Sequence, residues 1–128
     1  MSEDFNVVEA FNGKALGDRF AIYVPNRDRD GLIIDQNIWV NKAMKVLADI
    51  AGGATAMPPV KGAWLNPISK ELIIEEPVVV YAFIDPDTFE ECFDTLHDLV
   101  REIGRQTNQG SMAVEYGDTF IYVDDFGG

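Results

Sequence analysis

Residues 78–93 read VVVYAFIDPDTFEECF, a strand running straight into a helix start. Val78 to Ile84 is an unbroken apolar run bounded by Pro77 and Asp85, as a buried strand requires. Asp85-Pro86-Asp87 then opens a helix: Asp can cap, Pro suits the first helical position, and acid is favoured at the positive end of the helix dipole. Phe89, Cys92, Phe93, Leu96, Val100 and Ile103 continue as one apolar stripe. Glu90, Glu91, Asp94, Asp98 and Glu102 lie off that stripe, so much of the acidity is a solvated helix face. Cys92 is expected as a buried thiol, with His97 at the flank of the stripe.

Upstream, Phe20, Ile22 and Val24 alternate with Ala21 and Tyr23, the period of a strand, and Pro25 ends it. Trp39, Val40, Ala43, Val46, Leu47 and Ile50 recur at helical spacing from a cap at Asp35 to Gly52-Gly53, where glycine accepts positive φ. Ala54 to Met57 reads as extended before Pro58-Pro59. Val60 to Leu65 and Leu72 to Ile74 flank an Asn66-Pro67-Ile68-Ser69 turn. Downstream, Met112 to Tyr116 and Thr119 to Val123 form a hairpin about Gly117-Asp118.

This order predicts an α+β fold, a ferredoxin-like two-layer sandwich: a mainly antiparallel sheet, two helices on one face, and an extra C-terminal hairpin strand. At 128 residues the chain fits a single domain over 1–128. Residues 1–16 either fray or pair Phe5–Ala10 with Arg19–Val24 through Asn12-Gly13, and residues 125–128 form a flexible tail. The closing Gly127-Gly128 pair matches ubiquitin-like modifiers in composition only, because their strand-strand-helix opening differs from the order here.

With 22 acidic against 10 basic residues the net charge is -12, which opposes direct nucleic-acid and anionic-membrane binding. It suits solubility, or a basic protein partner met by Glu91, Asp94 and Asp98. One cysteine excludes an internal disulfide. The acidic start and the absence of a long apolar run point to a cytoplasmic protein. No metal and no cofactor is expected.

Chain direction places the 25–31 loop and the 105–109 segment at one end of the sheet. Asn26, Arg27, Asp28, Arg29, Arg105, Gln106, Asn108 and Gln109 are therefore the candidate ligand-binding set, because arginines beside amides orient a carboxylate or phosphate. The alternative is that Asp28, Asp30 or the acidic helix occupies the arginines locally. Gly52 to Pro59 leaves a helix instead of opening one, so it is no phosphate loop. No Ser or Cys nucleophile has a base at suitable spacing, so no catalytic residue is assigned. Carboxylate pairs such as Glu75-Glu76 point to opposite faces of a strand and do not chelate by themselves.

The strings IYVPNRDRDG (22–31), GGATA (52–56), GAW (62–64) and QG (109–110) resemble a family of small uncharacterised bacterial proteins over most of residues 20–123. The resemblance implies an accessory role in a bacterial defence or DNA-modification context and carries no catalytic residue. Two functions follow. The first is an acidic protein-binding module acting through a basic partner. The second is a small dimeric enzyme or ligand-binding protein with its site at the Arg27/Arg105 end, requiring a concave pocket there. Aromatic residues on both strand faces, including Tyr23, Tyr81, Phe83, Phe120 and Tyr122, suggest a homodimer formed through the face the helices leave open.

Overall fold

The computed structural model describes residues 4–127. Its centre is β1 (Asp18–Val24), which alternates as expected: Phe20, Ile22 and Val24 are buried on one side, while Arg19, Ala21 and Tyr23 take the other. β5 (Val78–Ile84) pairs antiparallel along its whole length, from Asp18 opposite Ile84 to Val24 opposite Val78. β6 (Met112–Tyr116) pairs on the other side, with Ile22 opposite Val114. β2 (Thr55–Ala56) closes the β5 edge, and β7 (Thr119–Val123) closes the β6 edge. The sheet order is β2-β5-β1-β6-β7, every neighbour antiparallel.

Two helices cover one face. α2 (Gln36–Ala51) buries Val40, Ala43 and Leu47; it ends where Gly52 takes φ +87° and its N–H reaches Ala48 O at 2.8 Å. Asp35 holds the N-cap position without a side-chain cap bond. α4 (Phe93–Gln106) buries Leu96, Leu99, Val100 and Ile103 against Ile22, Leu47 and Val80 in one core. Leu47 and Ile103 are fully excluded from solvent.

The structure corrects the sequence reading in three places. The stripe from Phe89 to Ile103 is two helices: α3 (Pro86–Glu91) stops at Cys92, whose φ of -99° and ψ of 8° break the turn before α4. Cys92 is consequently half-buried. The opening forms no hairpin among the described residues, since both edges of β1 are taken; Val7–Ala10 is instead a single turn, α1. Asn12, at φ +52°, and Gly13, whose N–H reaches Val8 O at 3.0 Å, close that turn. Finally, β3 (Gly62–Leu65) and β4 (Leu72–Glu75) pair with each other as a separate two-stranded sheet.

Residues 125–127 of the expected tail carry a packed ring. Phe126 lies so close over Gly104 that a Cβ there would overlap its ring. Gly17, at φ +128°, passes similarly near the Asp85 backbone, with a virtual Cβ 2.5 Å from Asp85 N. Asp85 caps α3, accepting from Thr88 N and Thr88 Oγ1, both at 2.9 Å, and these bonds hold its carboxyl below the usual value.

Candidate functional site

The site grows from two loops that a ladder of hydrogen bonds ties together. The loop after β1 folds on Asp28, whose Oδ1 accepts from Asp30 N at 2.8 Å and Leu32 N at 2.9 Å. Asn26 Oδ1 accepts from Glu76 N at 3.1 Å, and Gln36 Nε2 reaches Val24 O and Glu76 O, which fastens the loop to the β4–β5 connection. Across the gap, Arg29 N donates to Asn108 O at 2.9 Å and Arg29 Nη2 to Gln109 O at 2.8 Å. Gln109, only 8% exposed, returns Nε2 bonds to Arg27 O at 2.8 Å and Thr107 O at 3.1 Å. Asn108 Nδ2 donates to Asp30 Oδ2 at 3.1 Å.

Of the eight sequence candidates, therefore, the fold brings Arg27, Asp28, Arg29, Asn108 and Gln109 together, with Asn26 anchoring their base. Arg105 and Gln106 do not join them. Arg105 Nη1 turns to Phe126 O at 2.5 Å, because the packed tail offers carbonyls at the end of α4, and Gln106 is exposed away from the cleft. The local bonds of the two loop arginines go to backbone carbonyls, Arg27 Nη1 to Gly31 O at 3.0 Å and Arg29 to Gln109, instead of to aspartates.

These loops floor one end of a cleft of about 940 Å³. Arg27, Asp28 and Arg29 line it beside Gly110 and Ser111. The β3–β4 hairpin supplies the opposite wall through Lys61, Trp64, Leu65, Ile73 and Glu75. The uncovered face of the main sheet contributes Tyr23, Ala113, Phe120 and Tyr122. The volume lies within the usual range for small-molecule sites. Arg27 and Arg29 give the loop end its cationic groups, Lys61 adds a cation on the facing wall, and Trp64, Tyr23, Phe120 and Tyr122 give aromatic surface.

The aromatic wall is ordered by its own contacts. Tyr23 and Phe120 meet edge to face with centroids 5.8 Å apart, and Phe120 meets Tyr122 the same way at 5.2 Å. The Tyr23 hydroxyl donates to the Glu115 carboxylate. That bond, followed by burial and the Glu115 charge, raises the Tyr23 pKa, and Arg19 opposes the rise in part. Arg19 sits with its guanidinium carbon 4.8 Å from the Tyr81 ring centre, and its Nε is buried without a hydrogen-bond partner.

The remaining candidates lie elsewhere. Glu91, Asp94 and Asp98 are exposed on α3 and α4, outside the cleft, with no ion pair among the described residues. His97 borders a shallower depression of about 420 Å³ with Arg101, Tyr122, Asp124 and Asp125, its ring 5.3 Å from that of Phe93. Among the described residues no three His, Cys, Asp or Glu side chains gather as metal ligands, and no helix is long and apolar enough to cross a membrane. Sequence reasoning missed the hairpin wall. Trp64 was visible only as part of Gly62-Ala63-Trp64, and nothing in its spacing places it opposite Tyr23.

No family model matches the chain, and no curated protein matches it by sequence. Solved structures share its fold, among them two of phage SAM lyase. A phage SAM lyase in complex with S-methyl-5'-thioadenosine superposes with a TM-score of 0.63 at 15% identity, covering 88% of this chain and 92% of that one. A phage SAM lyase in the apo state superposes with a TM-score of 0.59 at 17% identity, covering 85% of this chain and 90% of the other. At these identities the likeness establishes the α+β fold, with its mainly antiparallel sheet.

Proposed function

We propose that this protein is a small enzyme that binds S-adenosylmethionine in the cleft and cleaves it, releasing S-methyl-5'-thioadenosine. Of the two functions the sequence allowed, this follows the second. The observation that carries it is the pairing, in one concave site, of an aromatic wall with the cationic Arg27–Arg29 end, on a fold shared with phage SAM lyases. The ferredoxin-like layout belongs to the same reading, since β1, β2, β5 and β6 with α2 and α4 trace a β-α-β-β-α-β path and β7 is the extra strand.

The ligand's parts match the walls. Its adenine is a flat aromatic that stacks on Trp64 or Phe120. Its sulfonium is a compact cation attracted by ring faces and by the Glu75 carboxylate. Its amino-acid carboxylate suits the arginine end, where each guanidinium still has N–H groups beyond those bonded to Gly31 and Gln109. Breaking the bond between sulfur and the aminobutyryl γ-carbon returns an electron pair to sulfur and leaves a neutral thioether. The fragment's own carboxylate oxygen bonds to the γ-carbon as the bond to sulfur breaks, closing a lactone, so no water is consumed. Charge is cancelled in this step, so the apolar walls given by Trp64, Leu65 and Phe120 favour it over bulk water.

Self-association through the open sheet face remains part of the proposal. Phe83, outside the cleft lining, is 47% exposed on that face, apolar surface that a second copy would cover. Fluorescence titration tests the site. Trp64 lies in the cleft, so S-methyl-5'-thioadenosine should change the tryptophan emission saturably, and Trp64→Leu should remove the change. An emission unaltered at millimolar ligand, with no heat of binding by calorimetry, would reject the assignment.

A further inference from the structure

The two edges of the main sheet are treated differently. β2 is two residues long and runs into Pro58-Pro59, which have no N–H to offer, so that edge is closed to further pairing. β7 has neither protection. It reads Thr119-Phe120-Ile121-Tyr122-Val123, with no charge, proline or glycine, and among the described residues it pairs only with β6. Both its faces are apolar and open: Phe120 is 50% and Tyr122 66% exposed on one side, and Ile121 40% on the other. A strand of this kind is a template for another strand, and its backbone lacks partners.

The hairpin geometry fixes which groups are free. With a two-residue turn at Gly117-Asp118, the pairs Tyr116–Thr119, Val114–Ile121 and Met112–Val123 exchange the ladder hydrogen bonds. The N–H and C=O groups of Phe120 and Tyr122 therefore point outward along the edge. Charge brackets the strand at both ends. Asp118 lies at the turn with Asp18 beside it, a virtual Cβ on Gly117 standing 3.8 Å from the Asp18 carboxyl carbon. Asp124 and Asp125 follow directly, both exposed. Arg101 lines their depression too, without an ion pair among the described residues.

That bracket selects the occupant. A second copy laid antiparallel about Ile121 would set Asp118 against the other copy's Asp124 at both ends, and like charges oppose that pairing. A strand flanked by lysine or arginine would meet carboxylates at both ends instead. We propose that the free edge of β7 docks an extended segment of a partner protein, a short β-branched or apolar strand with basic residues on either side, added antiparallel as an extra strand. Affinity comes from the backbone bonds of Phe120 and Tyr122, and selection from the flanking aspartates. This stands independently of the cleft chemistry, because it needs no ligand in the cleft.

The test uses the full chain and a fluorescent peptide, KKVTVTVTVKK, followed by anisotropy at low and high salt. Saturable binding that weakens as salt rises is expected. Tyr122→Pro removes an outward N–H while sparing the β6 ladder, and should weaken binding at least tenfold with the fold intact by circular dichroism. Asp118→Lys with Asp124→Lys lies outside the strand, so it tests the charges even if Tyr122→Pro fails to fold. It should weaken the basic peptide tenfold and admit EEVTVTVTVEE in its place. Three results would overturn the proposal: no anisotropy change at millimolar peptide, charge reversal without effect on either peptide, or a β7-dependent homodimer that excludes the peptide.

Discussion

Removing the Gln109 side chain should uncouple the two loops that form the end of the cleft. Gln109 is buried, and its Nε2 alone supplies the donors for Arg27 O at 2.8 Å and Thr107 O at 3.1 Å. Each such bond contributes about 1 kcal/mol net, and stranding the two carbonyls makes the loss in Gln109→Ala about 2 kcal/mol. With a urea m-value of about 2 kcal/mol/M for a chain of this size, the midpoint should fall by about 1 M at unchanged slope. Gln109→Glu should be worse at neutral pH, where a carboxylate faces two carbonyls, and should recover in acid as its protonated form regains a donor. Urea titrations followed by far-ultraviolet circular dichroism measure both. A Gln109→Ala midpoint within about 0.25 M of the parent, or a Gln109→Glu variant indifferent to pH, would refute the clamp, since about 0.5 kcal/mol is the ordinary scale of a surface change.

Gly17→Ala should cost about 3 kcal/mol or more, because φ +128° is strained for alanine and the added Cβ would stand 2.5 Å from Asp85 N; a thermal melt showing parental stability would contradict this. The Asp85 carboxyl is held below its ordinary 3.8 by its bonds to Thr88, so its contribution is present above 3.8 and is lost as pH falls below that, through the lowered folded-state value. Asp85→Asn can still cap α3 but cannot titrate. Parent and variant stabilities should therefore converge as pH falls from about 5 to well below 3.8, and urea midpoints that stay parallel over that range would show that the cap charge is idle.

Some of this molecule is written locally in its sequence and some is not. Val78–Ile84 and its Asp85-Pro86 helix start are legible because an unbroken apolar run and a capping residue act over a few positions. The break at Cys92 is not, because Phe89, Cys92, Phe93 and Leu96 keep helical spacing straight across it. Asn12-Gly13 serves a hairpin turn and a helix end equally well, and it was long-range pairing of β1 with β5 and β6 that decided between them. Arg27, Arg29 and Gln109 could be placed at one end from chain direction alone. Arg105 could not, since its orientation depends on Phe126 filling the space over Gly104. Trp64 stands in the cleft only because the β3–β4 hairpin leaves the main sheet, a tertiary choice that periodicity does not encode.

The most direct test of the proposed function is turnover. Purified protein incubated with S-adenosylmethionine at neutral pH should release S-methyl-5'-thioadenosine, followed by liquid chromatography and mass spectrometry, in proportion to protein and faster than the spontaneous background. Trp64→Leu should lower the rate. Release no faster than in buffer, with neither compound retained by the protein in equilibrium dialysis, would contradict the assignment of the cleft.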